Sequence, residues 1–135
     1  MHWTIHAMDN PMDIAALEQL IDAYCAVWNE PDAARRQRTL DAIWAENATY
    51  TDPRVHATGS AALVAHIEKI RAGRPGARIV RTSAVDFHHG IARFAWRLVQ
   101  ADGTPLPEGL DIAEVSDDSK LLRIVGFFGP RAPCR

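Results

Sequence analysis

The chain has 135 residues, the size of one domain whose core is large enough to need no disulfide or metal staple. Its 15 Lys and Arg against 17 Asp and Glu leave a formal net charge of -2, so no global positive field draws it to nucleic acid or anionic lipid. No run approaches the roughly 18 apolar residues of a membrane span, and the start, Met1 to His6, has no Lys or Arg ahead of a long apolar region, so a soluble cytoplasmic protein is expected.

From Asp13 to Asn29 the apolar residues Ile14, Leu17, Ile21, Tyr24 and Trp28 recur three and four apart, widened by Leu20 and Val27, which predicts an amphipathic helix. Cys25 lies inside that pattern and reads as core packing; Cys134 is one residue from the end, and no structural disulfide is expected. Glu30-Pro31-Asp32 breaks the helix, because proline disfavours helix in the residue before it yet fits the first turn of the next. A second helix then runs to about Ala45, with Leu40, Ile43 and Trp44 inward and Arg35, Arg36 and Arg38 on a solvated face. Asn47 to Val55 is β-branched and aromatic with a proline, which suits a short edge strand and turn. Thr58-Gly59-Ser60 follows as a loop, with Ser60 placed to cap a third helix that carries Leu63, Ile67 and Ile70 on one face and stops near Gly73.

The remainder reads as strands. Ile79 to His88 is one run, His89-Gly90 a turn, Ile91 to Gln100 the return, Asp102-Gly103 a hairpin signal and Pro107 to Val115 a third run. The polar turn Ser116 to Lys120 precedes a last apolar run from Leu121 to Phe128. Helices followed by a strand meander predict a single α+β domain, helices packed on one face of a mostly antiparallel sheet, with residues 1–12 and 130–135 as terminal extensions.

Metal chemistry finds little support. The one His-x-x-x-His spacing, His2 to His6, has no helix signal to bring the rings together, no Cys-x-x-Cys pair exists, and His88 and His89 point to opposite faces of a strand; no metal and no cofactor are expected. Gly73-Arg74-Pro75-Gly76 lacks the spacing of a phosphate loop, and no Gly-x-Ser-x-Gly turn is present.

Polar residues in apolar settings remain. Strand alternation puts Asp111 on one face with Gly109, Ala113 and Val115, where it is either a desolvated carboxyl that stays protonated or a carboxylate held by an arginine or a backbone amide. Asp52, beside Pro53, is either an ordinary turn residue or a carboxylate held at a pocket mouth. Tyr24 either packs with its hydroxyl bonded to backbone or aims it into a cavity. Arg93 and Arg97 share one strand face and Phe94, Trp96 and Leu98 the other; an inward arginine face would favour an acidic ligand, an outward one would put Trp96 on the pocket wall.

Together these residues resemble the nuclear transport factor 2-like superfamily, and within it the SnoaL-like polyketide cyclases and the ketosteroid isomerases. The likeness runs from about Ile14 to Gly129 and is carried by Tyr24 to Asn29, Ala48 to Pro53, Gly59, Asp111 and Phe127-Phe128-Gly129. It implies a cone, three helices closing a curved sheet around a pocket, and a homodimer paired sheet to sheet. Carried over residue by residue, it implies that Asp52 is a base and that Tyr24 and Asp111 are oxyanion-hole donors for proton abstraction α to a carbonyl, without cofactor. Ligand contacts are then expected from Trp28, Trp44, Tyr50, Trp96 and Phe127, with core packing the other reading for Trp28, Trp44 and Phe127. The stretch from Tyr24 to Asp52 looks about one helical turn longer than in the steroid enzymes, and the Asp-Arg-Asp set of the superfamily's epoxide hydrolases is missing. The resemblance leaves two functions open: an isomerase or cyclase acting on a small hydrophobic carbonyl compound, or a non-catalytic ligand-binding or dimerisation domain. The sequence does not decide whether His66, His88 or His89 enters the pocket.

Overall fold

Asp13 opens the first helix by accepting the backbone N–H of Ala16 at 2.7 Å, which satisfies one of the donors a helix start leaves unpaired, and α1 runs over Ile14–Asn29. This is a computed structural model that describes residues 13–135; the N-terminal extension 1–12, with His2 and His6 and the stretch read for a leader, lies outside the described residues. α1 buries Leu17, Leu20, Ile21, Tyr24, Cys25 and Val27, the stripe its periodicity marks. At its end the Asn29 amide accepts the backbone N–H of Ile79 at 2.7 Å and donates to the Ile79 carbonyl at 2.9 Å, which pins the helix to the sheet.

Asp32 caps α2 (Ala33–Ile43) through the N–H of Arg35 at 3.0 Å. Two sequence expectations change here. The helix stops at Ile43 rather than Ala45, because Trp44 already begins β1 (Trp44–Asp52). Arg36 is not solvated: it is 3% exposed, donates to the Glu30 carbonyl at 2.9 and 3.1 Å, and lies 3.4 Å from Glu68.

β1 is not an edge strand. It pairs antiparallel with β2 (Val55–Thr58) on one side and parallel with the last strand, β7 (Leu121–Phe127), on the other, so Pro53 sits in the β1–β2 turn where no ladder bond is lost. Nor does Ser60 cap α3 (Ser60–Gly73). Gly59 takes the cap position at φ +86, which only glycine adopts without strain, and the Ser60 hydroxyl donates to Asp41 of α2 at 2.7 Å.

The run from Ile79 to His88 splits into β3 (Arg78–Arg81) and β4 (Asp86–His88), both paired with β5 (Ile91–Val99); between them the Ser83 hydroxyl accepts the N–H of Ala95 at 2.8 Å. β6 (Gly109–Val115) joins β5 to β7, giving the order β2-β1-β7-β6-β5-β3, antiparallel except at β1–β7. The three helices pack on this curved, unclosed mixed sheet as a cone. Its core is built on Leu17, Ile21, Leu40, Leu63, Ile67 and Phe94, all fully buried. The outer face of the sheet exposes Ile91, Leu110 and Phe127. No helix among the described residues is long and apolar enough to cross a membrane.

Candidate active site

Two glycines make room for the inner face of the sheet. A Cβ on Gly109 would stand 2.4 Å from the ring of Trp96, its cross-strand partner, so the bare backbone lets the indole lie flat across β6. The indole N–H then donates to Asp111 Oδ1 at 2.8 Å. Gly126, the partner of Asp111 on β7, does the same for the carboxyl, since a Cβ there would stand 2.9 Å from Oδ1.

Asp111 is 6% exposed, and burial pushes its acid up to about 7; the Trp96 N–H, which favours the carboxylate, offsets part of this, and the charge of Asp52 adds to the rise. A carboxyl in that range carries its proton for much of the time at neutral pH. With Oδ1 taken by Trp96, Oδ2 is the oxygen left to donate that proton.

Asp52 ends β1 as an acceptor on both oxygens. Oδ1 receives the backbone N–H groups of Arg54 at 2.8 Å and Val55 at 3.1 Å, while Oδ2 receives the Tyr50 hydroxyl at 2.7 Å. His66 of α3 brings Nε2 to 3.6 Å from the same Oδ2, and its ring lies edge-on to Trp28 with centroids 5.9 Å apart. The Tyr50 phenol is pushed far up by burial, then by its bond to Asp52, so it remains a donor.

Tyr24 projects from α1 and stacks on Trp44, with rings 6.1 Å apart and 12° from parallel. Burial raises its phenol well above the ordinary value, and the nearby Asp111 charge raises it further. It is held as a neutral O–H. Cys25, next along α1, has its thiol pushed up to about 12 by burial, then by Asp111, which makes it an inert wall.

These groups share one cavity of about 360 Å³. Tyr24, Asp52 and Asp111 all line it, as do Trp28, Tyr50 and Trp96. Trp44 and Phe127 do not. Trp44 lies beneath Tyr24, 4% exposed, with its N–H on the Ala48 carbonyl at 3.2 Å, and Phe127 points outward at 55% exposure. Phe128 takes the place expected of Phe127, standing edge-on to Trp96 with centroids 5.8 Å apart.

Of the three histidines left open, His66 enters the cavity, whereas His88 and His89 sit exposed at the β4–β5 turn. His66 falls one turn before Ile70, which also lines the cavity, so the helical spacing carried the signal. Arg93 and Arg97 face outward, Arg93 paired with Asp86 at 2.8 Å, which removes the inward-arginine alternative and leaves Trp96 on the wall. No group of three or more His, Cys, Asp or Glu among the described residues is arranged to hold a metal ion.

Residues 21–124 match the family model of the SnoaL-like domain. Among solved structures, a candidate isomerase of the SnoaL-like family from Agrobacterium tumefaciens is 33% identical, with a TM-score of 0.81 over 86% of this chain and 99% of its own. A candidate polyketide cyclase from Sinorhizobium meliloti is 12% identical, with a TM-score of 0.64 over 90% of this chain and 99% of its own. A protein of ketosteroid isomerase-like fold from Catenulispora acidiphila, in complex with trimethylamine, is 12% identical, with a TM-score of 0.66 over 82% of this chain and 85% of its own. The last two show likeness of fold alone. No curated protein matches the chain in sequence.

Proposed function

The chain belongs to the SnoaL-like domain family, and from that premise we propose that it is an enzyme of enolate chemistry on a small hydrophobic carbonyl compound. One observation carries the reading: Asp111, an acid raised to about 7, and Tyr24, a phenol held neutral, line the same cavity as the carboxylate of Asp52. Two neutral donors and one base are the parts that proton abstraction α to a carbonyl needs.

Asp52 takes a proton from the carbon beside the carbonyl. The electron pair of the C–H bond becomes the C=C bond of an enolate, and the carbonyl oxygen takes up the negative charge. Tyr24 and Asp111 donate hydrogen bonds to that oxygen, which strengthen as charge develops; one such donor is commonly worth about 100- to 1,000-fold in rate. In isomerisation Asp52 then returns its proton to a different carbon. In cyclisation the enolate carbon attacks a second carbonyl, and the new alkoxide receives the proton. The second reading, a non-catalytic binding or dimerisation domain, is favoured by one observation: both oxygens of Asp52 already accept hydrogen bonds.

Ultraviolet difference spectra of wild type and Asp52→Asn, titrated with phenolic enolate mimics, separate the two. Tight binding with a phenolate spectrum is expected; absence of ionised phenol in a folded protein would sink the enzyme reading.

The same proposal includes a homodimer paired through the outer sheet face. Exposed Ile91, Leu110 and Phe127 support it, as does Arg97 of that face, whose buried Nε has no hydrogen-bond partner among the described residues. A monomer by light scattering would remove this part. The free thiols of Cys25 and Cys134 suit a reducing compartment such as the cytoplasm.

A further inference from the structure

The cavity has a floor and a mouth of different character. Tyr24, Tyr50, Asp52 and Asp111 are buried, while Arg54, Arg74, Pro107 and Phe128 line the same cavity as exposed residues. Arg54 sits in the β1–β2 turn, two residues beyond Asp52, and its backbone N–H already holds that carboxylate. Arg74 closes α3 on another side, beside Ala101 and Asp102 of the β5–β6 connection. His66, Ile70 and Arg74 follow one another at four-residue intervals, so Arg74 stands about 12 Å further along α3 than the histidine beside Asp52.

Arg54 and Arg74 are the arginines that line the cavity, and they share with Arg38, Arg71, Arg78 and Arg97 the lack of an ion-pair partner among the described residues. Arg35, Arg36, Arg81, Arg93 and Arg123 each have a carboxylate within 4.0 Å. Arg54 and Arg74 have none among the described residues, and Asp102 makes no ion pair with Arg74 although it borders the same neighbouring hollow. Two uncompensated guanidinium groups thus stand at the entrance of a pocket whose other mouth residues are apolar.

We propose that the occupant of this cavity is an acid: a hydrophobic carbonyl compound whose far end bears a carboxylate, bound at the mouth by Arg54 and Arg74. Guanidinium donors match a carboxylate in geometry, and their long stems allow two side chains from different elements to converge on one group. The carbonyl is placed at the buried floor and the acid at the exposed mouth, so a hydrocarbon spacer must separate the two groups. The placement of the carbonyl rests on the enolate reading; the placement of the acid does not.

Calorimetry of the full chain at low salt with phenylpentanoate and with its primary amide tests the acid site alone. The acid is expected to bind at least about 10-fold more tightly, an advantage that shrinks in Arg54→Gln and in Arg74→Gln, disappears in the double variant and fades with added salt. Because the amide should still bind the double variant, it reports that the pocket is folded. Equal binding of acid and amide, binding of neither, or an acid preference that survives in the double variant would overturn the inference. Spectra with para-hydroxyphenylpentanoate separate this failure from that of the enolate reading. Acid preference without phenol ionisation retains the mouth and removes the chemistry, whereas phenol ionisation with no acid preference does the reverse.

Discussion

Asp52 and Asp111 stand on the two strands that flank β7, with Gly126 between them: a Cβ at that position would lie 2.9 Å from Asp111 Oδ1 and 3.8 Å from Asp52 Cβ. The added methyl of Gly126→Ala must therefore displace Asp111 Oδ1, the oxygen that accepts the Trp96 N–H. Binding of phenolic enolate mimics should fall about 10- to 100-fold, the scale of a misplacement near 1 Å, while circular dichroism stays that of wild type. Unchanged affinity would show that the position of Asp111 does not matter to ligand.

Asp111→Asn should stabilise the protein in alkaline solution. The folded acid sits at about 7 against an ordinary value of 3.8, so the native state binds the proton more tightly than the unfolded chain does. The stability contribution of that proton is complete below about pH 4 and is lost as pH rises through 7. The loss is at most about 4 kcal/mol, and Asn does not suffer it while still offering Trp96 an acceptor. Urea unfolding at pH 8 should find the variant more stable, with the gap narrowing toward pH 4; a gap independent of pH would place Asp111 in the ordinary carboxylate range.

Trp96→Phe should move a pH profile rather than only lower a rate. The indole N–H opposes the rise of the Asp111 pKa, so its removal leaves the carboxyl protonated to higher pH. The loss of phenol binding that accompanies ionisation of Asp111, centred near pH 7 in wild type, should shift upward. A profile that keeps its midpoint would mean that another group sets it.

The thiols should separate by reactivity. Cys134 is exposed and Cys25 is buried with its thiol at about 12, so a disulfide reagent at pH 8 should modify one thiol quickly and the second only on unfolding. Two fast equivalents would mean that α1 opens readily.

Local pattern was enough for much of this molecule. The alternation that sets Asp111 inward is a property of β6 alone, and the three-and-four spacing of α1 leads Tyr24 and Trp28 to the cavity in the same way. What escaped the sequence is what distant pairing decides. β1 looks like an edge because nothing in Asn47 to Val55 announces its parallel neighbour some seventy residues later. Ser60 looks like a cap because the acceptor of its hydroxyl, Asp41, is on another helix. Phe127 and Phe128 are adjacent apolar residues, and only the register of β7 on β6 tells which turns inward. Arg54 carries no periodic signal, since it lies in the β1–β2 turn, and Arg74 continues the spacing of His66 and Ile70 only as the cap that ends α3.

The placement of β7 also bears on the order in which the protein is made. Residues 121–127 slot between β1, which ends at residue 52, and β6, so the two halves of the sheet have no shared partner until residue 127 has left the ribosome. Such sequence-distant pairing carries a large loop-closure cost and slows folding. Asp52 is synthesised well before Asp111, and the strand that brings them together follows both. The cavity therefore cannot be complete before β7 is in place.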